Sequence, residues 1–249
     1  MSFINEYFKH INSILSKVVE SQLPQIDKTS KIIANSIMND GWLYVFGSGH
    51  SHMMAEEFFY RAGGLVRVYP IFDTALMLHE GAVKSSAIER LSGYAKSLLD
   101  DYPVKENDVI IIASNSGRNA LPIEMAIEAK LRNMKVIAIT NLEHSTAVNS
   151  RHESGKRLFE LADIVIDNCG QFGDACININ NQKIAPTSTV ICSAIVNSIV
   201  AGIAEEFANK NFSGEFFTSS NTDEGEQKNI SRYRMYNIRQ IYCFNYINH

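Results

Sequence analysis

Residues 42–61 read WLYVFGSGHSHMMAEEFFYR. Trp42 to Phe46 have the apolar, aromatic and β-branched make-up of a buried strand. Gly47, Ser48 and Gly49 break it, and from His50 to Arg61 every residue is one a helix tolerates. The stretch predicts a strand, a tight glycine turn and a helix. Such a turn aims backbone N–H groups and the positive end of a helix dipole at one spot, where Ser48 and Ser51 add hydroxyl donors. That is a seat for an anion, most simply a phosphate. A dinucleotide fingerprint wants glycine where His52 stands, and a P-loop wants a lysine that is missing. Glycine turns also join strands to helices where nothing binds, so the rest of the chain must decide.

The chain has 249 residues, 45% apolar and 20% charged, enough for one domain with a full core. A formal charge of -4 gives no electrostatic case for nucleic acid or an anionic membrane as partner. Neither a secretory leader nor an apolar run of spanning length stands out, so a cytoplasmic protein is expected. Cys169, Cys176, Cys192 and Cys243 form no CxxC pair and no metal-type spacing with histidine, so they read as reduced, mostly buried thiols.

Ahead of the first strand, residues 2–39 lack glycine and carry Ile4, Tyr7, Phe8, Ile11, Ile14, Leu15 and Val18 at helical spacings. Two helices bent near Pro24 are expected. So long an apolar arm exceeds what a small sheet can cover, which assigns part of it to contact with another subunit. Downstream, strands are expected at 65–71, 108–113, 135–140 and 163–167, and helices at 87–99, 121–132 and 157–161. A small hairpin turning at Asn180 and Asn181 follows, then a long apolar helix over 190–208 and a polar, loop-like end made basic by Arg232, Arg234 and Arg239. The alternation predicts a three-layer, doubly wound α/β sandwich around a five-stranded parallel sheet of flavodoxin-like order. Its divisions are a helical arm over 1–40, a core over 41–212 and an extension over 213–249.

The 108–113 strand ends in Ser114, Asn115, Ser116, Gly117, Arg118 and Asn119. In such sheets the first and third strands adjoin at the switch point where ligands bind, so GSGHS and SNSGRN should meet in one pocket. Hydroxyls and amides can hold a phosphate there without lysine.

GSGHSH, ASNSGRN and ITN together resemble the SIS (sugar isomerase) phosphosugar-binding domain over roughly residues 30–210. GSGHSHMMAEEFFYRAGGL, HEGAVKSS and APTSTV are most similar to uncharacterised bacterial members. The resemblance implies that Ser114, Ser116 and Asn119 hold the sugar phosphate with Ser48 and Ser51, without a cofactor. Ala55, Glu56 and Glu57 resemble the AEE of phosphoheptose isomerase, whose second glutamate is the base. Glu80 lies in an EGA stretch similar to the etherases that act on N-acetylmuramic acid 6-phosphate. The late helix lacks the histidine those isomerases use for catalysis and metal binding, so no metal site is expected, although His52 and Glu56 share a face. A repressor-type member would need a DNA-binding domain ahead of the first strand, where only about forty residues stand.

These features imply a homodimeric aldose–ketose isomerase acting on a sugar phosphate. Glu57 is the leading candidate for base, Glu56 and Glu80 its rivals, and His50, His52 or His79 would assist at the oxygen. An etherase-like lyase and a phosphosugar sensor without turnover are the alternatives.

Overall fold

The computed structural model describes residues 2–236. Five strands, β1 (Leu43–Gly47), β2 (Val68–Ile71), β3 (Val109–Ala113), β4 (Lys135–Thr140) and β5 (Ile164–Asp167), form one parallel sheet in the order β2-β1-β3-β4-β5. This is the expected doubly wound α/β sheet, with β1 and β3 adjacent. The continuous apolar runs are explained by cover on both faces. Leu43, Val45, Ile111 and Ile139 point into one layer of core, while Tyr44, Phe46, Ile110 and Ile112 point into the other. Leu65 lies ahead of β2 and bridges to Phe216 instead.

On the first face lie α1 (Phe3–Met38) and α8 (Ser188–Asn209). Where two helices meeting near Pro24 were expected, α1 is a single helix of 36 residues with Pro24 inside it. Proline forfeits only its bond to the carbonyl four residues back, and both Pro24 and Glu20 are exposed, where water can serve that carbonyl. Burial of Ile11, Ile14 and Val18 before the proline, and of Ile26, Ile33 and Ile37 after it, supports the helix on both sides of Pro24. By length and composition α8 could cross a membrane. Its Ile191, Ile195, Ile199, Ile203 and Phe207 are instead buried in the layer shared with α1, as in a core helix. Ser30 Oγ of α1 donates to the Ile199 carbonyl at 3.1 Å across that contact.

The opposite face carries α4 (Tyr94–Asp100) and α5 (Ala120–Leu131). The helix expected over 87–99 is in fact two, α3 (Ala82–Ile88) and α4, because Gly93 interrupts it with its N–H held by the Glu124 carboxylate. Short helices α6 (Leu142–Thr146) and α7 (Leu158–Leu161) lie between β4 and β5 in the chain. The hairpin forms as expected from β6 (Ala175–Ile179) and β7 (Gln182–Pro186), with Asn180 and Asn181 at φ 48° and 61° in its two-residue turn. Beyond α8 the loop-like expectation is overturned by α9 (Asp223–Tyr236), a polar helix without the apolar periodicity that would have announced it. Asn229 of α9 fixes it by exchanging two hydrogen bonds with the Thr218 backbone. Arg239 and Cys243 lie outside the described residues.

Candidate functional site

Gly47 ends β1 against its own following turn: a Cβ there would stand 2.3 Å from the Ser51 carbonyl, so only glycine lets the chain double back. A 3-10 turn over Gly49–His52 and then α2 (Met53–Phe58) follow, shorter than the helix expected from His50 to Arg61. Phe59 takes an extended conformation and Tyr60 has φ 48°, which stops the helix three residues early. At the end of β3 the loop is pinned by Thr140, whose hydroxyl donates to the Ser114 carbonyl at 2.7 Å. Gly117, at φ 57°, turns its N–H back onto Ser114 Oγ at 3.2 Å.

The two loops meet with the start of α8 in one cleft over the carboxyl ends of β1 and β3, the position at which open α/β sheets take ligands. His50, Ser51 and Met54 line it from one side, Ser114 and Asn115 from another, and Ser188, Thr189 and Cys192 from α8. Its cavity volume is about 30 Å³, and the space between atoms, open mouth included, is about 320 Å³. Among the described residues no carboxylate, lysine or arginine lines it.

Its donors come from groups the fold leaves unspent. Because Ser114 Oγ accepts from Gly117, its own O–H is free to point outward. The main-chain N–H groups of Asn115 and Ser116 have no partner among the described residues. Beneath them runs a relay of amides. Asn168 Nδ2 donates to Asn115 Oδ1 at 2.8 Å, and Asn168 Oδ1 accepts from Asn141 Nδ2 and from the Gly170 N–H, both at 3.0 Å. That chain fixes Asn115 with its oxygen down and its NH₂ available to the cleft. At the floor, burial pushes the Cys192 thiol up to about 12 against a hydrogen bond from Asn168, so it stays protonated. The start of α8 is not itself an open anion seat, because Asp174 already accepts from Ser188 N at 2.8 Å and Ser188 Oγ at 2.6 Å.

Of the residues singled out from the sequence, Ser51 and Ser114 line the cleft. Ser48 gives its one hydroxyl proton to Glu89 Oε1 at 2.8 Å, and Asn119 accepts from Arg151 at 2.9 Å. Ser116 is half-buried beside the cleft. None of the candidate glutamates, Glu56, Glu57 or Glu80, lines the cleft. Glu56, its side chain 51% exposed, pairs with His52 Nε2 at 3.1 Å, while His52 Nδ1 faces the Gly49 carbonyl. Glu57 is 18% exposed, paired with Arg61 on one oxygen and bonded on the other by Asn197 Nδ2 of α8 at 2.6 Å. Glu80 is exposed at the start of α3, where hydrogen bonds from Lys84 and Thr74 hold its carboxyl below the usual range. His79 lies 5.8 Å from the His52 ring. Among the described residues no three His, Cys, Asp or Glu side chains gather where a metal ion could sit.

Asn168, Thr189, Glu89 and Asn197 were not legible as site residues. Asn168 stands at the end of β5, a position that carries ligand-binding groups in such sheets, and that signal was available.

Together these features define a doubly wound α/β protein with a cleft lined by hydroxyl and amide groups at the switch point of its sheet. The SIS domain profile matches residues 6–141, and the chain belongs to that family. A UPF0309 protein of Thermoanaerobacter pseudethanolicus is 45% identical, over 94% of this chain and 97% of that one. One from Oceanobacillus iheyensis is 44% identical over 95% and 97%. In fold the chain is similar to the phosphoheptose isomerase of Francisella tularensis, with TM-score 0.55 and 18% identity over 82% of this chain and 100% of that one. It is similar also to the phosphoheptose isomerase of Neisseria gonorrhoeae, with TM-score 0.54 and 16% identity over 82% and 97%.

Proposed function

We propose that the chain is a sugar-phosphate isomerase that interconverts aldose and ketose. The observation that carries this reading is the convergence of hydroxyl and amide donors in one cleft that no carboxylate lines among the described residues, with Glu57 a turn beyond Met54 on α2. Ser51, Ser114, Thr189, the Asn115 amide and the N–H groups of Asn115 and Ser116 offer a phosphate the neutral donors it needs where no lysine is present.

Met54 faces the cleft, and Glu57, three residues on, continues that face. On the opposing wall Cys192 lines the cleft and Asn197 stands further along α8, bonded to Glu57. A phosphate seated at the loops therefore directs its sugar toward that pair, where α2 meets α8. Glu57 takes the proton from the carbon next to the carbonyl and returns it to the neighbouring carbon, while the hydroxyl proton moves from one oxygen to the other. His50, at the cleft wall, meets the oxyanion of the enediolate between the two steps. Glu56 pairs with His52 and Glu80 with Lys84 of α3, whereas Glu57 is bonded to Asn197 of α8, the helix whose start lines the cleft, which favours Glu57 over both.

Phe3, Ile4, Phe8, Val19 and Leu23 leave an exposed apolar stripe on α1, which supports a homodimer joined through that helix. A cytoplasmic location agrees with this substrate class and with the free thiols of Cys169, Cys176 and Cys192. The test is incubation with hexose, heptose and amino-sugar 6-phosphates in D₂O. Deuterium entering at the carbon next to the carbonyl supports the isomerase. Loss of a side group marks a lyase, and binding without exchange marks a sensor.

A further inference from the structure

Arg118 follows directly on the loop whose Ser114 and Asn115 line the cleft, and it stands three residues from Asn115, within about 11 Å along the chain. Its Nε is buried and has no hydrogen-bond partner among the described residues. The backbone carbonyl of Arg118 accepts from the Arg151 N–H at 2.8 Å, which brings the second arginine against the first. Arg151 in turn reaches back to Asn119 Oδ1 at 2.9 Å, at the start of α5. Arg90 stands beside Glu89, whose own carbonyl accepts from the Leu121 N–H in the first turn of that helix. Among the described residues none of the three arginines forms an ion pair with a carboxylate. Glu89, the nearest acid in sequence, spends one oxygen on Ser48.

Like charges gathered without counter-charge weaken a fold unless they serve a ligand, and a buried guanidinium N–H without an acceptor is costly for the same reason. Burial, and then the charges of Arg118 and Arg90, hold the Arg151 guanidinium below its ordinary value, with Glu89 acting the other way. Guanidinium groups supply two parallel N–H donors matched to phosphate or carboxylate. The cleft, lined by neutral donors, seats one anion, and Arg118 lies further along the same loop, with Arg151 brought against it from the segment between α6 and α7.

We propose that Arg118 and Arg151, with Arg90 beside them, bind a second anionic group of the substrate, so that the ligand is a sugar phosphate bearing a further phosphate or carboxylate. This rests on the reading of the cleft as a phosphate seat. It adds a substrate class: singly phosphorylated neutral sugars are poor ligands, and sugar bisphosphates or phosphorylated sugar acids are good ones. Selectivity comes from the arginines, and the phosphate common to all of them from the serine loops.

Calorimetric titration with fructose 6-phosphate, fructose 1,6-bisphosphate, glucose 6-phosphate and 6-phosphogluconate tests this. Wild-type protein should bind a doubly anionic ligand at least about tenfold more tightly than its neutral-sugar counterpart, the lower end expected for a hydrogen bond to a charged group. The bisphosphate and the phosphogluconate distinguish phosphate from carboxylate as the second group. In Arg118→Gln and Arg151→Gln that ratio should fall to about one, within the range of an ordinary affinity error. The ratio is read on folded protein and does not depend on how much of a variant is active. Ser114→Ala should weaken all four ligands together. Equal affinity of wild-type protein for singly and doubly charged ligands overturns the second site and leaves the phosphate seat standing. A preference that survives both arginine substitutions also overturns it, and failure of all four to bind overturns both.

Discussion

Asn197 Nδ2 donates to Glu57 Oε1 at 2.6 Å, joining residues 140 positions apart where α8 packs against α2. With Arg61 on the other oxygen, the carboxylate is held in one orientation, as a base must be for proton transfer. Glu57→Gln should abolish deuterium exchange while sugar-phosphate binding persists. Asn197→Leu should lower kcat about 10- to 100-fold with little change in KM, since a hydrogen bond to a charged group is worth about 1.5–3 kcal/mol. Undiminished exchange in Glu57→Gln would remove it from the mechanism.

Asn168 carries the amide relay and is 2% exposed. Its replacement by alanine strands polar groups of Asn115, Asn141 and Gly170, at a cost of about 1–3 kcal/mol for each buried group left without a partner. Urea unfolding should show that loss, and ligand affinity should fall with it because Asn115 is no longer oriented. A variant as stable as wild type would contradict the relay.

His144 supplies a pH signature. Burial, and then the charge of Arg118, hold its imidazole below the ordinary value of 6.5, with Asp174 opposing. The folded protein keeps this side chain neutral where the unfolded chain already binds a proton, so stability is lost as pH falls from about 6.5 toward the lower folded value. Relative to His144→Gln, wild-type protein should lose stability across that window and none above it. NMR titration of His144 with a midpoint above 6.5 would contradict the sign.

Assembly is tested on α1. Val19 and Leu23 are both exposed on a helix whose other face is core. Light scattering should report a dimer at micromolar concentration for wild type, and Val19→Asp with Leu23→Asp should give a folded monomer. A wild-type monomer sinks the proposal.

The strands and their order were legible because each is a continuous apolar run, and because the serine-rich turns after β1 and β3 marked the two strands that lie side by side. The continuity of α1 through Pro24 was not, since burial on both sides of the proline overrides a local preference. Nor was the break at Gly93, held by a distant Glu124, or α9, whose composition is polar throughout. At the site, turn chemistry pointed to the loops. The partners that orient them, Glu89 for Ser48 and Asn168 for Asn115, are 41 and 53 residues away. No local periodicity reports contacts of that kind.

The phosphate seat is the claim on which the rest stands, and it is tested most directly by binding wild-type protein and Ser114→Ala to hexose 6-phosphates, hexose bisphosphates and the same sugars without phosphate. Phosphorylated sugars should bind, a ligand at 100 times its Kd raising stability by about 2.7 kcal/mol, and Ser114→Ala should cost about 1–3 kcal/mol of that affinity. Sugars that bind as well without phosphate as with it would contradict the account.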